Sequence, residues 1–190
     1  PKNTNLLPPL AERMRPRRLE DFKGQEEIVA QGKILRKALE SRKIFSMILW
    51  GPPGSGKTTL AKIIANYVDA DFYQISAVSA GVKDVRAIID KAAYNRSRNR
   101  STLLFIDEIH RFNKAQQDAL LHAIEDGSLI LIGATTENPS FEVISPLISR
   151  CRVLKLEGLS DENLASIINT AIAKDIILLK YKIKFEPGAQ

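Results

Sequence analysis

Residues 51–58 run Gly51-Pro52-Pro53-Gly54-Ser55-Gly56-Lys57-Thr58, the spacing G-x-x-x-x-G-K-[ST]. Glycines at these intervals let a backbone wrap tightly enough for successive N–H groups to point at one phosphate. A helix starting there adds the positive end of its dipole. The lysine of such a loop reaches β- and γ-phosphates, and the hydroxyl after it can ligate Mg²⁺. Lys57 and Thr58 hold those positions, so Gly51 through Thr59 form the candidate ATP-binding stretch, with Thr58 also a candidate metal ligand.

A second reactive pair, Asp107-Glu108, closes the apolar run Ser101–Ile106. An aspartate at the end of a strand beside a phosphate loop holds magnesium directly or through water, and Asp107 takes that position. Glu108 is then the candidate that orients and polarises an attacking water. Two acids could instead cap the next helix. Behind a phosphate loop, adjacent carboxylates suit hydrolysis better than nucleotide storage.

These groups need elements to hold them. Phe45–Trp50 reads as a buried strand before the phosphate loop, and Thr59–Ala65 has helical spacing after it. Phe72–Ile75, Ser101–Ile106, Leu129–Ala134 and Cys151–Leu156 read as further strands. Val82 to about Tyr94 and the stretch from Asn113 through Ile124 read as helices. The alternation predicts an α/β fold, a five-stranded parallel sheet with right-handed crossovers and helices on both faces. Upstream, residues 1–25 are rich in proline and arginine and predict an extended lead-in. Glu26–Ser41 has the apolar spacing of one amphipathic helix. Downstream, Ser160 opens a helix carrying Leu164, Ile167, Ile168 and Ile172, the start of an incomplete helical lid over 159–190. After Lys174 there is room for one more short element before Phe185–Gln190. The core is thus expected over 26–158.

With 190 residues, the chain can hold one α/β domain and a small appendage. Its single cysteine, Cys151, excludes an intramolecular disulfide framework. No apolar run approaches the roughly 20 residues that span a bilayer, which argues against a membrane partner. The chain starts at Pro1 without a signal-like apolar stretch or a methionine, and so reads as a processed or excised piece. A net charge of +6 and a pI near 9.5 permit nucleic-acid binding. The excess gathers at Arg13, Arg15, Arg17 and Arg18, and again at Arg96, Arg98 and Arg100, although arginines on loops and helix ends can be merely solvated.

Two further motifs narrow the class. Gly133-Ala134-Thr135-Thr136 ends a strand, and Ser149-Arg150-Cys151 precedes the last one. With the phosphate loop and Asp107-Glu108, this order resembles an AAA+ ATPase. The resemblance implies that Thr136 is sensor 1, touching the γ-phosphate or the lytic water. It implies that Arg150 is a finger acting on a neighbouring subunit's nucleotide.

Pro9-Leu10-Ala11-Glu12-Arg13-Met14-Arg15-Pro16 and Phe22-Lys23-Gly24-Gln25 are similar to the lead of clamp loaders. Ser76 to Arg86, Asp107 to Asn113 and Ala134 to Val143 resemble the RarA/MgsA family, whose eukaryotic member is the Werner-helicase-interacting ATPase. The resemblance runs from about Pro9 to Lys174. It implies an ATPase stimulated by forked, gapped or single-stranded DNA at stalled replication forks. Such a protein works with replication proteins, ordinarily as a homotetramer, and is cytoplasmic and nucleoid-associated in a bacterium or nuclear in a eukaryote. It also implies an adenine pocket drawing on Leu10, Ala11, Ile28 and Val29. In clamp-loader relatives the helix after the second strand tracks DNA, which points to Lys83 and Arg86. Those two read as readily as solvated helix charges.

Rival classes leave other marks. Holliday-junction motors share Asp107-Glu108-Ile109-His110-Arg111 but insert a hairpin where this chain has only Gly127, Ser128 and Leu129. Protein unfoldases need an aromatic pore loop where this chain has Ser76-Ala77-Val78-Ser79-Ala80-Gly81. A clamp-loader subunit is the nearest alternative. A nucleotide-gated scaffold is disfavoured by the intact Glu108, which a scaffold does not need.

Overall fold

The computed structural model describes residues 7–181. In chain order they form α1 (Leu10–Arg13), a 3₁₀ turn (Leu19–Asp21), α2 (Glu26–Val29), α3 (Ile34–Glu40), β1 (Met47–Trp50) and α4 (Lys57–Val68). Next come β2 (Asp71–Ser76), α5 (Val82–Arg96), β3 (Thr102–Asp107), a 3₁₀ turn (Ile109–Arg111) and α6 (Lys114–Glu125). The remainder is β4 (Ile130–Thr135), α7 (Pro139–Glu142), α8 (Ser145–Arg150), β5 (Arg152–Lys155), α9 (Asp161–Lys174) and α10 (Leu178–Tyr181). The chain divides into a core, Gln25–Gly158, and a second unit that joins the segment before Gln25 to the segment after Gly158.

The core is built on one five-stranded sheet ordered β2-β3-β4-β1-β5, parallel throughout as the alternation predicts. Leu103, Leu104, Phe105 and Ile106 of β3 are all fully buried, as a strand covered on both faces requires. Each contributes roughly 1.5–3 kcal/mol of burial. Alternate residues serve opposite faces. Ile48, Leu104, Ile106 and Leu131 pack with Val85, Ile88 and Ala92 of α5 and Leu120 and Ala123 of α6. Helix α4 packs against β2, β3 and β4 and buries Leu60, Ile63 and Ile64. The strand order sets β4 between β3 and β1, so three chain ends that carry chemistry emerge side by side.

Two expectations change. The stretch Glu26–Ser41 is not one helix. Ala30 and Lys33 are extended and Gly32 takes φ +80°, which ends α2 and lets the chain restart as α3. The apolar spacing runs through this break because Ile28, Leu35, Ala38 and Leu39 are all buried. The lead-in is not simply extended either: α1 and the 3₁₀ turn Leu19–Asp21 interrupt it.

In the second unit, Ser160 caps α9, its hydroxyl accepting from the Asn163 N–H at 3.2 Å. Arg13 meets Asp175 in a bidentate pair, Nε to Oδ2 at 2.7 Å and Nη2 to Oδ1 at 3.0 Å. The same carboxylate accepts from the Ile177 and Leu178 N–H groups, capping α10. The Arg13 guanidinium therefore holds the Asp175 carboxyl down at about 2. Residues 1–6 and 182–190 lie outside the described residues, among them the Phe185–Gln190 tail.

Candidate active site

The phosphate loop begins where β1 ends. The Gly51 N–H donates to the Thr135 carbonyl at 3.1 Å, fastening the loop's first residue to β4. A Cβ on Gly51 would lie 2.3 Å from the Leu156 carbonyl oxygen, so only glycine fits. Lys57 opens α4 and turns back into the loop. Its Nζ donates to the carbonyls of Gly51 at 2.7 Å and Pro52 at 2.8 Å, with Ser55 Oγ at 3.4 Å. Lys57 as a whole is 9% exposed. Burial lowers its pKa, and the nearby charges of Glu108 and Asp107 oppose that shift. The lysine and both carboxylates thus share one electrostatic site, although Lys57 and Asp107 stand 50 positions apart in the chain.

The turn after β3 is held with unusual care. Glu108 adopts φ 54°, ψ 45°, the left-handed region that a branched or charged residue rarely takes. Two contacts to β4 fix it there. Ile109 packs on Gly133, where a Cβ would meet Ile109 Cδ1 at 2.8 Å. His110 Nδ1 lies 3.0 Å from Thr135 Oγ1 and 3.2 Å from Glu108 Oε2. The Thr135 hydroxyl donates to the Glu137 carbonyl at 3.1 Å and accepts from the Glu137 N–H at 3.0 Å. With its own proton so placed, Thr135 accepts from His110. That assigns the proton to Nδ1, the nitrogen facing the Glu108 carboxylate.

The remaining candidates fall as follows. Thr58 is half-buried in the first turn of α4 and Asp107 is half-buried at the end of β3. Their hydroxyl and carboxylate oxygens suit a hard cation that keeps several of its waters, as Mg²⁺ does. Among the described residues no cluster of three His, Cys, Asp or Glu side chains forms a separate metal site. Thr136 is half-buried just past β4.

Arg150 ends α8 on the surface. It pairs there with Glu125 and donates to the Pro146 carbonyl at 2.7 Å. It is neither buried nor engaged with the phosphate loop. Ile28 is buried and Val29 half-buried on α2 in the core, while Leu10 and Ala11 are exposed on α1 in the second unit. Lys83 and Arg86 are exposed in the first turns of α5. Burial pushes the Cys151 thiol up to about 12, which removes it as a nucleophile.

No sequence pattern assigns His110 or Thr135 a role of its own. Their only signal was position: His110 stands two residues beyond Glu108, and Thr135 just before the sensor candidate.

A phosphate loop behind β1, paired carboxylates closing β3, a hydroxyl behind β4 and an arginine ahead of β5 define a P-loop ATPase domain of the AAA+ class. The chain belongs to the family of the Holliday junction DNA helicase RuvB P-loop domain, whose family model it matches over residues 14–152.

The resemblance to the RarA/MgsA family is borne out as well. The chain is 54% identical over 168 residues to replication-associated recombination protein A of Escherichia coli K12, covering 88% of this chain and 38% of that protein. It is 49% identical over 181 residues to ATPase WRNIP1 of Dictyostelium discoideum, covering 95% of this chain and 21% of that one. It thus spans well under half the length of either relative. Among solved structures, the Thermotoga maritima RuvB Holliday junction branch migration motor superposes with a TM-score of 0.71 at 36% identity. That match covers 84% of this chain and 54% of the other. The family model is named for RuvB, yet α6 passes to β4 through residues 126–129 alone, with no hairpin between them.

Proposed function

We propose that this domain hydrolyses ATP and spends the energy on DNA at replication forks. The observation that carries the reading is the placing of the phosphate loop behind β1 and of Asp107-Glu108 at the end of β3, both at the C-terminal edge of one parallel sheet, where the two carboxylates act electrostatically on Lys57. Ligands of open α/β sheets bind at that edge. In this reading the loop Gly51–Thr59 binds the triphosphate, and Lys57 exchanges its carbonyl acceptors for β- and γ-phosphate oxygens. The Thr58 hydroxyl and the Asp107 carboxylate would hold Mg²⁺, which would neutralise charge on the phosphoryl oxygens. Glu108 orients the attacking water and takes its proton. His110 keeps that carboxylate aimed, and Thr136 orients the water or the terminal phosphate. Arg150 leaves Glu125 to act on the nucleotide of a neighbouring copy. Ile28 and Val29 line the base side of the nucleotide.

The DNA role rests on the names of the relatives, a replication-associated recombination protein and the WRNIP1 ATPase. Their identity favours fork maintenance over a clamp-loader subunit, and the intact Glu108 favours turnover over a scaffold. The working form is a homo-oligomer, a tetramer, meeting replication proteins on DNA in the nucleoid or nucleus. No described helix is long and apolar enough to cross a membrane.

Phosphate release by the full-length protein, measured with forked, gapped and blunt duplex DNA, tests the proposal. Stimulation by forked or gapped DNA above blunt duplex is expected. ATP turnover indifferent to every DNA would remove the DNA half of the reading, and absence of turnover would remove both halves.

A further inference from the structure

Gln25 is the first residue of the core and adopts φ 66°, ψ 29° at the start of α2, a conformation a glutamine rarely takes. The residue is 8% exposed and its carboxamide is almost fully used. The amide Nε2 donates to the Glu157 carbonyl at 2.7 Å and to the Ser55 carbonyl at 3.3 Å. Oε1 accepts from the Glu157 N–H at 2.9 Å. A carboxamide thus pairs with both backbone groups of residue 157, as a neighbouring strand would, two residues past the end of β5. Its second N–H reaches the phosphate loop.

The loop rests on the same segment elsewhere. Gly51 abuts the Leu156 carbonyl, and a Cβ on Gly158 would meet Pro52 Cγ at 3.9 Å. Ser55, which Gln25 holds by its carbonyl, also offers its hydroxyl to Lys57. Any movement of Lys57 and Ser55 toward a phosphate therefore bears on Gln25, and through it on Glu157. Glu157 and Gly158 are the last core residues before the chain enters the second unit at Leu159, and Gln25 is the first core residue after the chain returns from Gly24. One side chain pins together the two places where the chain crosses between units and ties both to the phosphate loop.

We propose that Gln25 is a positioning residue that transmits occupancy of the phosphate loop to the two chain crossings at 24–25 and 158–159. This rests on the reading of Gly51–Thr59 as the nucleotide site. Glutamine is required because two carbonyls need donors while one N–H needs an acceptor. Glutamate keeps the length and the acceptor but sets a carboxylate against both carbonyls, and asparagine falls one methylene short.

Amide hydrogen exchange of the full-length protein, with and without a non-hydrolysable ATP analogue and Mg²⁺, tests the assignment. In the unsubstituted protein the analogue should change exchange at Glu157 and its neighbours by about tenfold. Gln25→Glu should bind the analogue within about fivefold of the original affinity, lose the change at Glu157, and lower kcat more than it raises KM. Should Gln25→Glu fold poorly, Gln25→Asn carries the same expectation. A Glu157 amide indifferent to the analogue in the unsubstituted protein would overturn the proposal, and so would a response that survives either substitution. Lys57→Ala separates the two readings: analogue binding that persists in it unseats the nucleotide site itself.

Discussion

His110 Nδ1 stands 3.0 Å from the Thr135 hydroxyl and 3.2 Å from a Glu108 carboxylate oxygen, so one ring nitrogen ties the candidate base to the neighbouring strand. Glu108 sits in a left-handed conformation that its own backbone does not favour. The ring and the Ile109–Gly133 contact supply what the backbone lacks. His110→Ala should lower kcat by about tenfold and leave KM for ATP within about twofold, because aim is lost and binding is not. His110→Asn, which restores a donor near the same place, should recover part of the rate. Steady-state ATPase kinetics on both variants decide it, and a KM effect as large as the kcat effect would contradict a positioning role.

Glu108 and Lys57 should fail differently. Glu108→Gln should keep ATP affinity and lower turnover by about 100-fold or more, the usual range for a lost general base. Lys57→Ala should lose binding itself. Fluorescent-nucleotide titration against phosphate release separates the two, and equal loss of affinity in both would unseat the assigned roles.

Arg150 is paired with Glu125 on the surface, which suits either a finger at rest or a simple ion pair. Exposed ion pairs contribute little to stability, about 0–1 kcal/mol. Glu125→Gln should therefore leave ATP turnover near its original value, while Arg150→Ala should lower it by about 10³-fold without weakening nucleotide binding. Mixing Arg150→Ala with Glu108→Gln subunits of the full-length protein should restore some activity through mixed interfaces. Matching losses in Glu125→Gln and Arg150→Ala would reduce the arginine to its ion pair.

Lys83 and Arg86 stand three apart on one exposed face of α5. If they track a phosphate backbone, replacing both with alanine should weaken binding to all DNA sequences alike. The log–log salt slope should become shallower by about one to two. ATP turnover without DNA should not change. Fluorescence anisotropy across a salt series measures this, and an unchanged slope would move the contact to another basic surface.

The Arg13–Asp175 pair predicts an acid-sensitive second unit. Asp175 titrates at about 2 in the fold against an ordinary 3.8, so the folded state favours its charged form. The stability it contributes is complete above 3.8 and is lost as the pH falls toward 2. Protection of the Ile177 and Leu178 amides, the ratio of intrinsic to observed exchange, should fall over that interval, and Asp175→Asn should flatten the fall. An identical pH profile in the variant would show that the pair contributes nothing.

The chemistry was legible in the sequence because it sits in short, contiguous patterns. Gly51–Thr58 and Asp107-Glu108 each follow a strand whose apolar run marks its own end, and the alternation of elements determined a parallel sheet. The break in Glu26–Ser41 was hidden because apolar spacing reports which residues are buried and is blind to one glycine at positive φ between two segments that both bury their residues. What only the tertiary structure decided is long-range. The Gln25–Glu157, His110–Thr135 and Arg13–Asp175 contacts join residues 132, 25 and 162 positions apart. Each depends on strand order and chain crossings that bring the two ends together. No local pattern encodes such a pair, because a hydrogen bond between distant residues is specified by the register of the elements that carry them.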